Sequence, residues 1–326
     1  MKEAALFYED FMVYDENGKL KSYPSNSPEN AANGDFAGGG RLSVSINATM
    51  DFAMLKELLT NLLSAADALG LAEEKRPVWE RMLAAIPPYE INKDGALKEW
   101  LHPDFEDNYH HRHQSHIYPL FPGFEIDEDK DPALFAATKV AVEKRLCIGM
   151  KEQTGWSLSH MANIFARLSD GASAKRCLDL LLRFCTGQNL YTYHNDWRNM
   201  GVTLKMLHAG KPPFQIDANL GFVAAVYEML VFSTPEKIKL LPALPEEWRE
   251  GALTGLNTHV GCVLDLTWDA NGVTATLTAA RDTEFDLSAF GRELLSATVD
   301  SQPSPVGASY RRFRLAAGQS LVVRYK

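Results

Sequence analysis

The sequence predicts a mainly α-helical chain that ends in a β domain, and two changes along the chain support this. Apolar residues recur every three or four positions through the first two thirds of the 326 residues, which is the spacing of amphipathic helices. From about residue 250 the spacing of apolar residues changes to two, which is typical of strands with one buried face. We therefore expect a helical domain over residues 1–235 and a C-terminal antiparallel β-sandwich over residues 236–326.

The helices are predicted from their apolar stripes and from residues that begin or end a helix. Residues 50–70 carry one apolar stripe between a candidate N-cap at Thr49 and a candidate C-terminal stop at Gly70. Asp131 and Pro132 occupy the cap and first-turn positions of another helix, which reaches residue 147. Further helices are predicted at about 2–12, 75–86, 156–168, 171–185 and 219–232.

The β domain is predicted from alternating segments and from a turn between two of them. Asn271-Gly272 is a dipeptide that favours a two-residue hairpin loop. Pro242 and Pro245 interrupt both helix and strand, so we interpret residues 237–251, which contain them, as the linker between the domains.

Several helices are apolar on more than one side, and six or seven helices are too few to cover all these faces. A closed helical barrel would cover them. We therefore expect the chain to be the C-terminal part of a larger protein, in which an upstream polypeptide completes the barrel.

The composition argues against several classes of partner. The net charge of −9 disfavours sequence-independent binding to nucleic acid. No apolar run approaches the ~20 residues that a membrane helix needs, and the first residues lack the layout of a signal peptide, so we expect no membrane partner and a cytoplasmic location. The four cysteines form no C-x-x-C pair, which excludes a zinc ribbon, and we expect them to be buried and reduced.

Two carboxylates lie in loops rich in proline and small residues. Glu29 follows Pro28, whose fixed φ would direct the carboxylate, although the segment also fits an ordinary surface turn. Asp217 lies just before a predicted helix, with Asn219 as a candidate cap. It could point into a cleft or satisfy free N–H groups at the helix start. A pair of carboxylates is the minimum for glycoside hydrolysis, and this chemistry needs no metal and no organic cofactor.

A cluster of imidazoles invites comparison with a metal site. It consists of His110, His111, His113 and His116, with Arg112 among them. The spacing lacks the carboxylate of H-E-x-x-H, and prolines flank the segment, so we favour contact with a sugar or an anion over a metal. Hydrogen bonding and packing at a helix end is the third interpretation.

Trp156 begins another segment of interest. Its indole could stack on the apolar face of a sugar, or it could belong to the core with Phe165 and Leu168. The helical spacing favours the core for the last two.

Seven segments occur in the order and rough spacing of one enzyme family: SPEN (27–30), TMD (49–51), GALKEW (95–100), HRHQSHIYPLFPG (111–123), TGWSLSHMANIFARLSDG (154–171), PPFQIDANLG (212–221) and IKLLPALPEEW (238–248). With these motifs the chain resembles the family 95 glycoside hydrolases. That family includes α-L-fucosidases that act on α-1,2-linked fucose, and also α-L-galactosidases. The resemblance covers nearly the whole chain.

The resemblance implies an N-terminal β domain, an (α/α)6 barrel that holds the active site and a C-terminal β domain. This chain would supply the second half of the barrel and the last domain. It also implies an inverting mechanism, in which Glu29 is the general acid and Asp217 raises the basicity of the site that activates water. Arg112 and His113 would contact the sugar of an oligosaccharide substrate, and we add Trp156 as a binding residue.

The chain departs from the family pattern in three places. The family's Asn-x-Asn pair, which holds the attacking water, does not precede Ser27. Relatives commonly have Ala-Trp-Lys where this chain has residues 159–161, and an aromatic-rich insertion covers residues 186–211. The first departure leaves open the hypothesis of a non-catalytic or incomplete fragment that needs an upstream polypeptide. The insertion leaves open a preference for L-galactose.

Overall fold

The computed structural model describes residues 1–34, 44–198, 200, 203, 212–304 and 310–326, which form a mixture of helices and strands. All the predicted helices are present, within about three residues of their predicted ends. None of the helices in this described part has the length and apolar character needed to cross a membrane. The helices are α1 (Lys2–Phe11), α2 (Thr49–Ala68), α3 (Arg76–Ala85), α4 (Pro132–Ile148), α5 (Gly155–Arg167), α6 (Gly171–Phe184) and α7 (Ile216–Leu230), with 3₁₀ turns at Ser115–Ile117 and Met150–Glu152.

Local signals at helix ends were predicted with mixed success. The carboxylate of Asp131 caps α4 by accepting a hydrogen bond from Leu134 N at 3.0 Å, as expected. Gly70 follows α2 with a φ of 63°, which is the left-handed conformation of a helix stop. The prediction for Thr49 was wrong, because Ala48 is the N-cap and the Thr49 hydroxyl donates to Lys98 O at 2.7 Å.

The chain divides into two compact units. The first contains residues 1–157 and 195–212, and the second contains residues 158–194 and 213–326. In the first unit, α1, α2 and α3 share one apolar core, built from Ala5, Phe52, Leu55, Leu59, Trp79 and Met82. The apolar stripe predicted for residues 50–70 was right only in part: Leu55 and Leu62 are buried, but Met54 and Leu69 are exposed.

The strands of the first unit form one short ribbon, and those of the second form two sheets. The ribbon pairs β1 (Val13–Tyr14) with β2 (Leu20–Lys21). The six-stranded sheet has the order β10-β9-β12-β7-β6-β5, and the four-stranded sheet has the order β11-β8-β4-β3. The strands are β3 (Val231–Ser233), β4 (Lys237–Leu240), β5 (Gly251–Asn257), β6 (Cys262–Asp269), β7 (Gly272–Ala279), β8 (Thr283–Ala289), β9 (Leu294–Val299), β10 (Gln302–Ser304), β11 (Tyr310–Leu315) and β12 (Ser320–Tyr325).

Side chains of both sheets belong to one buried cluster, which includes Leu240, Leu264, Leu277, Phe285 and Val323. Along β6 and β7 buried residues alternate with more exposed ones, which confirms the period of two in the sequence. The C-terminal region is therefore a sheet domain with a shared apolar core.

The linker prediction was wrong in part, because its first residues, Lys237–Leu240, form the strand β4. This strand pairs antiparallel with β3 and parallel with β8. The sheet is therefore mixed rather than antiparallel throughout. The strand forms because Ile238 and Leu240 point into the apolar core, which the two prolines further along do not disturb.

The hairpin predicted around Asn271-Gly272 is present, shifted by one residue. Asp269 pairs with Gly272, so Ala270 and Asn271 are the two loop residues, and the Asp269 carboxylate accepts a hydrogen bond from Asn271 N at 2.7 Å. A Cβ atom at position 272 would lie 2.2 Å from the carbonyl oxygen of Tyr325. Glycine is therefore required there by the close approach of β12.

The four cysteines are not joined by disulfides. Cys177, Cys185 and Cys262 are buried, as expected, but Cys147 is exposed near the end of α4. The expectation of burial was wrong at Cys147 because this position faces away from the apolar side of that helix.

Candidate active site

Glu29 lies on the loop between β2 and α2, beside the histidine-rich loop. Arg112 Nη2 donates a hydrogen bond to Glu29 Oε2, and His113 Nε2 lies 3.7 Å from the same oxygen. The side chain of Glu29 is 65% exposed. The arrangement brings together a carboxylate, a guanidinium and an imidazole at an accessible position, where all three can contact a polar ligand.

Two residues that flank Glu29 are anchored to one buried carboxylate. Ser27 Oγ donates to Glu99 Oε1 at 2.7 Å, and Asn30 Nδ2 donates to Glu99 Oε2 at 2.9 Å. Asn30 also donates to the carbonyl oxygen of Asn108 at 3.0 Å, while Ser27 is hydrogen-bonded to Ser115. The SPEN segment is therefore held on both sides of Glu29.

The beginning of the same loop is anchored to Asp51. Ser25 Oγ donates to Asp51 Oδ2 at 2.7 Å, and Ser22 Oγ donates to the same oxygen. Burial raises the pKa of Asp51, although the two serine hydrogen bonds oppose this shift. Asp51, the aspartate of the TMD segment, thus fixes the start of the loop of Glu29 against α2.

The histidine-rich loop is anchored to the same buried carboxylate through Arg145 on α4. Arg145 Nη2 donates to Glu99 Oε2 at 2.6 Å, and Arg145 Nη1 donates to the carbonyl oxygen of His113. Burial raises the pKa of Glu99, but the positive charge of Arg145, assisted by His116 and by hydrogen bonds, holds it below its usual value. Glu99 is therefore a charged group that binds the loop of Glu29 directly and the histidine-rich loop through Arg145.

The pKa of a second carboxyl group, that of Asp107 next to Glu99, is shifted upward, in the opposite direction to the pKa of Glu99. Asp107 Oδ1 accepts a hydrogen bond from Glu99 N at 2.8 Å. Burial, with the negative charge of Glu99, raises the pKa of Asp107 to about 6.

The histidines of the cluster differ in exposure. His111 and His116 are buried, whereas His113 is partly exposed and His110 is exposed. Burial, with the charge of Arg145, lowers the pKa of His111 to about 3, and burial with the charge of Arg112 lowers that of His113. In the described part of the chain, no three His, Cys, Asp or Glu side chains are grouped as metal ligands would be. The packing interpretation fits His111 and His116, and only His113 of the cluster lies near Glu29.

Trp156 is the second residue of α5 and is half-buried. Phe165 and Leu168, for which the core was favoured, are buried as predicted. The stacking role of Trp156 stays a prediction.

Asp217 belongs to the second compact unit and is exposed in the first turn of α7. The helix begins earlier than predicted, so Asp217 lies inside it and Asn219 is not its cap. Asn219 instead accepts a hydrogen bond from Thr192 N at 3.0 Å, which ties the helix to the loop after α6. Asp217 Oδ1 accepts a hydrogen bond from Ala218 N at 3.0 Å. The separation between Asp217 and Glu29 stays a prediction.

The aromatic-rich insertion at 186–211 is described only in part. Positions 199, 201–202 and 204–211 lie outside the described residues. Of the rest, Tyr193 pairs with Phe214 in a short bridge.

Family models match almost the entire chain. The model of the glycosyl hydrolase family 95 catalytic domain matches residues 1–230, and that of the glycoside hydrolase family 95 C-terminal domain matches residues 233–320. The chain belongs to glycoside hydrolase family 95.

Curated relatives agree with the family 95 assignment. A protein named alpha-L-fucosidase 2, from Arabidopsis thaliana, is 37% identical over 267 residues, which cover 80% of this chain and 30% of that protein. Proteins named Probable alpha-fucosidase A are 26% identical over 90% of the chain in Aspergillus niger and 24% identical over 82% in Aspergillus oryzae, and each match covers 36% of the relative. The chain therefore spans about a third of the length of the curated relatives it matches.

Glu99 and Arg145, which hold the two loops together in this family 95 chain, were not predicted from the sequence. A weak signal was present in each case. Glu99 stands with Lys98 between the apolar residues Leu97 and Trp100, and Arg145 interrupts the apolar side of α4. A charge at such a position indicates a buried partner but does not identify it.

Proposed function

We propose that this chain supplies the general acid and sugar-binding groups of an inverting glycosidase that acts on terminal α-L-fucosides, with α-1,2-linked fucose as the preferred substrate. Within this proposal, residues 1–235 are part of an (α/α)6 barrel and residues 236–326 form a β-sandwich. The observation that supports it best is the position of Glu29 beside Arg112 and His113, on a loop that is anchored on both sides. The family membership and the names of the relatives support the choice of substrate.

In the proposed reaction, Arg112 and His113 donate hydrogen bonds to hydroxyl groups of the sugar. Glu29 transfers its proton to the glycosidic oxygen as the bond from that oxygen to the anomeric carbon breaks. A water molecule attacks the anomeric carbon from the opposite face and loses a proton to the basic site that Asp217 assists. This geometry requires the carboxyl groups of Glu29 and Asp217 to stand about 6.5–9.5 Å apart, because the water lies between them.

The test is hydrolysis of 4-nitrophenyl α-L-fucoside by the 326-residue chain, with the sugar product followed by proton NMR. The expected first product is β-L-fucose, and early release of α-L-fucose would contradict the inverting mechanism. The corresponding α-L-galactoside, assayed in parallel, measures the alternative sugar preference.

The role of Glu29 is tested by Glu29→Gln, which keeps the shape of the side chain but cannot supply a proton. General acids contribute about 10²- to 10⁴-fold to rate, so a loss of this size is expected with a fucosyl disaccharide, whose leaving group is poor and needs the proton. Glu16→Gln, an exposed change in a separate turn, is the matched control. Full activity of Glu29→Gln would overturn the assignment. Binding of L-fucose without turnover would instead favour the hypothesis that hydrolysis needs an upstream polypeptide.

A further inference from the structure

We infer that Glu99 and Arg145 are positioning residues that hold the loop of Glu29 and the loop of Arg112 and His113 in one fixed arrangement. This inference rests on the proposed function, because it assigns a purpose to the contact between the two loops. Neither residue is proposed to touch the sugar, since both side chains are only 1% exposed.

Glu99 binds the loop of Glu29 through both of its carboxylate oxygens. Its Oε1 accepts from Ser27 and its Oε2 accepts from Asn30, which lie two positions before and one position after Glu29. Both carboxylate oxygens are needed for these bonds. The backbone at Glu29 therefore has little freedom to move while Glu99 is in place.

Arg145 uses the two terminal nitrogens of its guanidinium to bind two different segments. Nη2 donates to Glu99 Oε2 at 2.6 Å, and Nη1 donates to the carbonyl oxygen of His113. A planar guanidinium fixes the angle between its two bonds, which the single nitrogen of a lysine cannot do. The backbone next to Arg112 is thus set relative to the backbone next to Glu29.

Burial of the ion pair between Glu99 and Arg145 has a cost in free energy. Removing two charges from water carries a desolvation penalty that the attraction between them often does no more than balance, so stability alone is a weak reason for a buried pair. A pair that specifies one arrangement of neighbouring segments is a better-supported reason. Here the pair joins the two segments that carry the proposed acid and the proposed sugar donors.

The activity test compares aryl α-L-fucosides whose leaving groups differ in basicity. A poor leaving group needs the proton from Glu29, and a good one does not, so loss of the acid lowers kcat/KM selectively for the poor leaving group. We use the ratio of kcat/KM for the poor leaving group to kcat/KM for the good leaving group. This ratio does not depend on the fraction of correctly folded enzyme. A merely structural role would therefore leave the ratio unchanged.

The variants are Glu99→Gln and Arg145→Lys in the 326-residue chain, with Glu29→Gln as the reference. We expect each of the two to lower the ratio by about tenfold, in the direction of Glu29→Gln. Glu228→Gln, which breaks the ion pair with Arg167 in the second unit, is the control and should leave the ratio as in the unchanged chain. If Glu29→Gln lowers the ratio and the other two variants do not, the positioning role is wrong while the proposed function stands. If Glu29→Gln leaves the ratio unchanged, the proposed function fails.

Hydrogen–deuterium exchange provides a readout without turnover. In Glu99→Gln, peptides that cover residues 24–34 and 108–118 should both exchange at least about tenfold faster, while peptides from β6 and β7 keep the rates of the unchanged chain. Unchanged exchange in both loops, or faster exchange in only one, would overturn the inference.

Discussion

Glu29 and Arg112 are hydrogen-bonded across 83 positions of the chain, with His113 beside them. A guanidinium that donates to the proposed acid can also donate to a sugar hydroxyl. In the proposed mechanism, a sugar that binds Arg112 therefore competes with Glu29 for the same donors. Binding of the sugar to Arg112 and release of the Glu29 carboxylate from Arg112 would then occur together. The side chain of Glu29 is already accessible at this position.

Arg112→Lys should weaken substrate binding more than it slows the chemical step. Lysine keeps the charge but loses the rigid pair of donors, and the loss of a charged hydrogen bond costs about 1.5–3 kcal/mol, which corresponds to about tenfold or more in KM. Steady-state kinetics with 4-nitrophenyl α-L-fucoside measures this. Arg81→Lys, an exposed change on α3, is the control. A KM equal to that of the unchanged chain would show that Arg112 does not bind the substrate.

Asp217→Asn should slow hydrolysis equally for good and poor leaving groups. Asp217 is proposed to act on the attacking water, whereas the leaving group is served by Glu29. We expect kcat to fall by about 100-fold for both classes of aryl fucoside. The exposed Glu236→Gln in the second unit is the control. A loss confined to poor leaving groups would mean that Asp217, rather than Glu29, donates the proton.

Asp107→Asn should change the way in which stability depends on pH. The pKa of Asp107 is raised to about 6 in the folded chain, above the value of about 3.9 for an exposed aspartate. The folded state therefore binds more protons between about pH 4 and pH 6, so the contribution of Asp107 to stability falls as pH rises through this window. The full penalty, present above it, is at most about 3 kcal/mol.

Urea denaturation at several pH values between 4 and 7 measures this effect. The free energy of unfolding of Asp107→Asn relative to the unchanged chain should increase as pH rises across the window, whatever constant offset the lost hydrogen bond to Asn92 adds. The exposed Asp104→Asn should show no such trend. A difference that is independent of pH would contradict the raised pKa.

Features set by neighbouring residues were predictable from the sequence. The capping of α4 by Asp131 and the stop at Gly70 need only residues within a few positions, and both were confirmed. Thr49 was predicted wrongly because the partner of its hydroxyl, the carbonyl of Lys98, is supplied by the tertiary fold. The start of α7 was misplaced for a related reason, since Asn219 binds Thr192 on a distant loop instead of capping the helix.

The candidate site was predictable only in its separate parts. The motifs identified Glu29, Arg112 and His113, but nothing local indicates that residues 83 positions apart are in contact. The pair of Glu99 and Arg145 is harder to predict, because the sequence around a charged residue does not show where its partner of opposite charge lies. In the proposed function, positions that bind no substrate would therefore determine where the substrate-binding groups stand.

The shared core of the two C-terminal sheets gives the last prediction. Phe285 on β8 is fully buried among side chains of both sheets, and its ring centroid lies 6.5 Å from that of Phe313 on β11. Phe285→Ala should lower the free energy of unfolding by about 3–5 kcal/mol, because it removes buried apolar area and leaves a cavity. Phe290→Ala, at a side chain that is 50% exposed just beyond the same strand, should change it by about 0.5 kcal/mol or less. Urea denaturation of the two variants followed by tryptophan fluorescence measures the difference, and equal midpoints would show that the two sheets do not share a core at Phe285.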